Sequence, residues 1–132
     1  MTLRIATFNL ENLGDDPAVP PPLSDRIRIM RPQLERLRAD ILCLQEVDSQ
    51  GPVGARTLSA LNQLLAGTAY ATYNRATTLT VSGTLFEKRN LVTLSRFPIT
   101  ATRIARDSEG PRPSYQFATA IPPDTSADRQ RQ

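Results

Sequence analysis

Histidine and tryptophan are absent from this chain, Lys88 is its only lysine and Cys43 its only cysteine. Without an imidazole, the sequence excludes a histidine general base and histidine-ligated metals within its own length. A single cysteine builds neither a disulfide framework nor a zinc site. Inside an apolar run, Cys43 reads as a small buried filler. Aromatics make up only 5% of the residues. Charges of one sign never run in blocks, and basic residues are not interleaved with aromatics as in single-strand binders. No apolar stretch approaches the roughly 20 residues of a membrane span. Met1 leads straight into a strand-like run with no charged segment before it, so the expectation is a cytoplasmic protein without a secretory leader.

What is present is arginine, which supplies nearly all the basic residues behind a net charge of +3. Arginine forks onto phosphate in two hydrogen bonds, so an anionic substrate is compatible; solvated surface arginines are the plainer alternative. At 132 residues the chain is one domain at most.

Leu3 to Asn9 reads as a strand apolar on both faces, and so covered on both sides. A proline-rich loop follows. Ser24 is the expected cap of a helix in which Ile27, Met30, Leu34, Leu37 and Ile41 fall at helical spacing, with a kink or break at Pro32. Ile41 to Glu46 reads as a second strand. A strand, helix and strand in this order favour parallel pairing. Thr57 is the expected cap of a short helix with Leu58, Leu61, Leu64 and Leu65 on its apolar face, ended by Gly67. Strands are expected at Tyr70 to Arg75, Leu91 to Ser95, Thr100 to Arg106 and Tyr115 to Ile121. Residues 122–132 are polar and unpatterned, and read as a disordered tail.

Three segments stand in order along the chain: Thr7-Phe8-Asn9-Leu10-Glu11-Asn12-Leu13, then Ala39-Asp40-Ile41-Leu42-Cys43-Leu44-Gln45-Glu46-Val47, then Asn90-Leu91-Val92-Thr93-Leu94-Ser95-Arg96-Phe97-Pro98-Ile99. Together they resemble successive blocks of the endonuclease/exonuclease/phosphatase superfamily, the DNase I-like group. The second block is the most specific. The resemblance implies an α/β fold, the N-terminal half of a four-layered α/β sandwich. Residues 1–121 would form this partial, incomplete domain, with the site on the rim where the two sheets meet.

By the same resemblance, Glu46 matches the family's metal-binding, catalytic glutamate. The implied cofactor is Mg²⁺, with Mn²⁺ as a substitute; Mg²⁺ prefers oxygen ligands and keeps several waters, so one or two carboxylates suffice. Asn9 matches the first-strand asparagine, both catalytic and substrate-binding. Its neutral amide donates to a phosphoryl oxygen without adding negative charge. The bland alternative is an asparagine that closes a turn on its own backbone. Arg96 of the third block is a further candidate for phosphate binding. Gln45, opposite in face to Glu46 by strand alternation, reads as structural.

The sequence also departs from the family. The later Gly-Asp-Xaa-Asn and Ser-Asp-His segments are missing, and Asp124 is followed by Thr-Ser-Ala, which matches neither. The expectation is therefore a Mg²⁺-dependent phosphoesterase, nuclease or phosphatase, that is truncated and inactive or weakly active as this chain alone. Its partner is a phosphate ester, with nucleic acid favoured by the basic balance. The alternative is a non-catalytic product that associates through an exposed sheet face. A doubly wound nucleotide binder is disfavoured, because no glycine-rich phosphate loop follows the first strand.

Overall fold

A computed structural model describes residues 2–105. The residues up to Thr102 form one compact unit, and 103–105 begin a second. The unit is built in the order β1 (Ile5–Leu13), α1 (Leu23–Leu37), β2 (Ile41–Val47), α2 (Ser59–Leu65), a 3₁₀ turn (Ala69–Thr72), β3 (Asn74–Thr77) and β4 (Asn90–Ser95). The strands form one mixed sheet in the order β1-β2-β4-β3. β1 and β2 are adjacent and parallel, while β4 runs antiparallel to both β2 and β3. This mixed α/β unit fits a partial DNase I-like fold.

One face of the sheet carries the core. Leu10, Leu42, Leu44, Val92 and Leu94 pack with Leu34 of α1 and with Ala60, Leu61, Leu64 and Leu65 of α2. Fully burying each such side chain is worth about 1.5–3 kcal/mol. The opposite face is open, with Ile5 63% and Leu91 52% exposed. The first strand is therefore covered on one side within this unit, not on both. Cys43 lies on this open face and is half-buried, so it is not the buried filler its apolar run suggested.

Both helix starts differ from expectation. Pro22, not Ser24, precedes the first turn of α1; its extended backbone turns its carbonyl to the amides of Asp25 and Arg26. α1 runs unbroken through Pro32, which is exposed. Thr57 does not cap α2 because it bridges to Gln50. Gln50 supplies the cap itself, with Oε1 accepting from the Ala60 amide and the Ser59 hydroxyl.

The expected strand at Tyr70 to Arg75 is a 3₁₀ turn followed by β3, and 100–105 form no strand. Tyr70 is buried because its hydroxyl donates to Leu34 O and accepts from Ala39 N, both at 3.0 Å. That burial raises its pKa above the usual tyrosine range. Tyr70→Phe should cost about 1–3 kcal/mol by leaving those two backbone groups unpaired, read as a lower denaturant midpoint at unchanged slope. The expected strand at Tyr115 to Ile121 and the tail at 122–132 lie outside the described residues.

Candidate active site

The site lies where β1 and β2 end and β4 begins. Up to Asn9, β1 pairs residue for residue with β2 (Asn9 opposite Gln45), and the next pair is Leu13 with Val47. Over this interval β1 holds two extra residues. Between β2 and β4, Leu44 pairs with Val92 and Val47 with Asn90, so β2 holds one extra residue. Such bulges re-aim side chains beside active sites.

The backbone shows the same break. Glu11, Asn12, Glu46 and Arg89 all have positive φ, at 50°, 53°, 57° and 57°. A left-handed non-glycine residue costs about 1 kcal/mol or more. Four of the five such residues in the described chain stand on this one rim; the fifth, Arg38, ends α1. Their purpose can be read from burial. Strict alternation after Leu44 would send Glu46 to the leucine core and Val47 to the outside. The bulge keeps Val47 fully buried and leaves Glu46 half-buried at the edge. In β1, likewise, Leu10 and Leu13 are buried while Glu11 and Asn12 are exposed.

The structure brings Asn9 and Glu46 together. They sit on neighbouring strands one residue out of register, which puts their Cα atoms about 6 Å apart. Asn9 is exposed, and its Oδ1 accepts from the Glu11 amide at 2.7 Å. The local turn therefore exists, and it engages the Oδ1 of Asn9. Gln45 binds Thr7 Oγ1 and Cys43 O on the open face.

Arg96 is not on this rim. It follows β4 at the far end of the sheet, where it pairs with Asp40 at 3.1 Å and lies over the Phe97 ring. Antiparallel pairing sends the end of β4 to the start of β2, away from Glu46.

Further residues hold the rim, and the sequence reading singled out neither Asp48, Arg26 nor Arg89. Asp48 accepts the Arg89 amide at 2.9 Å, and Arg89 Nε donates to Asn12 Oδ1 at 3.1 Å. Arg26 reaches from α1 to the carbonyls of Leu10, Glu11 and Asn12, clamping the β1 bulge. Asn90, fully buried, ties the end of β2 to the loop before β4. None has a local signature, since each partner lies in another element. The one available hint was Asp48, a carboxylate two residues after Glu46.

The carboxylates near the strand ends are Glu46, Asp48 and Glu11, and carboxylate oxygen suits a hard cation such as Mg²⁺. Among the described residues no group of three or more metal-ligating side chains converges. That is compatible with a cation held by one or two carboxylates and its own waters.

No curated protein and no solved structure matches the chain significantly. The family model described as the Endonuclease/Exonuclease/phosphatase family matches residues 6–131. That match spans nearly the whole sequence and includes Asn9, Glu46, Asp48 and Arg89, so the chain belongs to the endonuclease/exonuclease/phosphatase family, whose members act on phosphoesters and generally depend on a divalent metal.

Proposed function

We propose that this protein is a Mg²⁺-dependent phosphoesterase with Glu46 as metal ligand and Asn9 as the contact to the ester phosphate. The observation that supports this most is the paired bulge, at which the backbones of Asn9 and Glu46 lie on neighbouring strands one residue out of register and four non-glycine residues of the rim are left-handed.

The roles follow from the groups. Glu46 provides the negative charge that holds the cation. Bound there, Mg²⁺ would polarise the phosphoryl oxygens as a Lewis acid. Asn9, its Oδ1 engaged by Glu11, donates from Nδ2 to a phosphoryl oxygen and orients the ester. The half-buried position of Glu46 limits the water that competes for its carboxylate. Among phosphate esters, nucleic acid fits best with a net charge of +3 carried almost wholly by arginine. The test is Mg²⁺-dependent hydrolysis of bis(4-nitrophenyl) phosphate by a full-length version that carries the later family segments and by its Glu46→Gln variant, and equal measurable rates would remove Glu46 from the mechanism.

A second reading rests on the open sheet face, where Ile5 and Leu91 are more than half exposed. On it, two copies of the chain associate through that face without catalysis. Sedimentation should then show a concentration-dependent dimer that Ile5→Lys dissociates. A monomer at every concentration excludes this reading.

A further inference from the structure

We propose that Arg89 is a phosphate-positioning residue, arched across the end of β2 and bracketed by Asn12. Neighbouring strands lie about 4.8 Å apart, so β1 and β4 flank β2 at about 10 Å. Arg89 starts beside β4, since Asn90 pairs with Val47. Its Nε nevertheless meets Asn12 Oδ1 on β1 at 3.1 Å. The side chain therefore passes over the end of β2, above the stretch that follows Glu46.

Its root is fixed as firmly as its tip. The Arg89 amide donates to Asp48 Oδ1, and the next residue is the buried Asn90. Its left-handed φ of 57° points to a conformation held by these contacts. The free atoms are the informative part. Among the described residues, neither Nη of Arg89 has a hydrogen-bond partner, and no carboxylate pairs with its guanidinium.

Other arginines are spent on structure. Arg56 pairs with Glu87, Arg96 with Asp40, and Arg26 and Arg31 fasten backbone carbonyls. Among the described residues of the rim, Arg89 combines an immobilised Nε with two Nη groups that have no partner there, above the stretch that follows Glu46. A pre-set guanidinium edge of this kind suits a phosphate oxyanion. Because Nε is taken by Asn12, the phosphate is gripped by the two Nη groups.

This inference rests on the phosphoesterase reading for its biological meaning, but its test does not. Inorganic phosphate binding to the whole protein is measured by calorimetry in metal-free buffer at low salt. Arg89→Ala should weaken it about tenfold or more. Asn12→Gly accepts the same backbone φ without strain and removes only the bracket. It should weaken binding by about threefold, which covers the case in which Arg89→Ala fails to fold. In hydrolysis of bis(4-nitrophenyl) phosphate, Arg89→Ala should raise KM more than it lowers kcat. No saturable phosphate binding by the unsubstituted protein, or unchanged affinity in the folded variants, overturns the proposal. Loss of phosphate affinity without any Mg²⁺-dependent hydrolysis would instead keep Arg89 and sink the catalytic reading of Glu46.

Discussion

Glu46→Gln should reduce Mg²⁺-dependent phosphodiester hydrolysis by about 10²–10³-fold, comparable to deleting one preorganised charge-stabilising group from an active site. The substitution keeps shape and length and removes only the charge. A neutral amide oxygen competes poorly with water for a small, strongly hydrated dication. Mn²⁺ affinity, followed by electron paramagnetic resonance, should fall in parallel. Folding should barely change, because Gln and Glu meet the same left-handed backbone at position 46. The melting curves of the two proteins should agree to within about 0.5 kcal/mol. Glu46→Gly sharpens the point. Glycine accepts φ near 57° without a Cβ clash, and the relief offsets its greater unfolded-state freedom. The glycine variant should be inactive yet no less stable. If Glu46→Gly instead unfolds the protein, the left-handed glutamate serves the fold rather than the chemistry.

Asn90→Ala should destabilise the protein by about 3–4 kcal/mol, the largest effect expected for a polar residue here. Asn90 is fully buried, and its amide is completely used. Nδ2 donates to Val47 O and Phe86 O at 2.9 Å each, and Oδ1 accepts from Phe86 N at 3.0 Å. Truncation leaves three backbone groups unpaired in a site too enclosed for water to replace the amide fully. For a domain of this size the melting temperature should fall by about 10–20 °C. Asn90→Asp should do no better at neutral pH, because a carboxylate faces two carbonyl oxygens. It should recover in part on acidification, since a protonated carboxyl can donate to one of them. A shift of less than about 1 kcal/mol in Asn90→Ala would mean that the end of β2 is held by other contacts.

The elements themselves were largely legible. Short apolar runs marked β1, β2 and β4, and helical spacing marked α1 and α2, because burial against a core selects apolar residues. The errors share one cause. Ser24 and Thr57 have good capping chemistry, but Pro22 and Gln50 took those places through backbone geometry and a bridge to another segment. Tyr70 suits a strand by propensity, but its hydroxyl is claimed by Leu34 and Ala39, more than thirty residues away in the chain. Arg96 looked like a phosphate contact because of the block it belongs to, yet the direction of β4 carries it to the far end, where it neutralises Asp40.

By itself, the sequence determined the α/β class and the apolar helix faces, and its three blocks carried the resemblance to the family. Local side-chain character decides the class and the helix faces. Only the tertiary structure decided that Asn9 and Glu46 share a rim, that Asp48, Arg26 and Asn90 hold it, and that Arg89 reaches across it. The reason is that a left-handed turn at a non-glycine residue is unfavourable locally. At position 46 it exists because Val47 must remain in the core and opposite Asn90, a demand set by strands far apart in the chain.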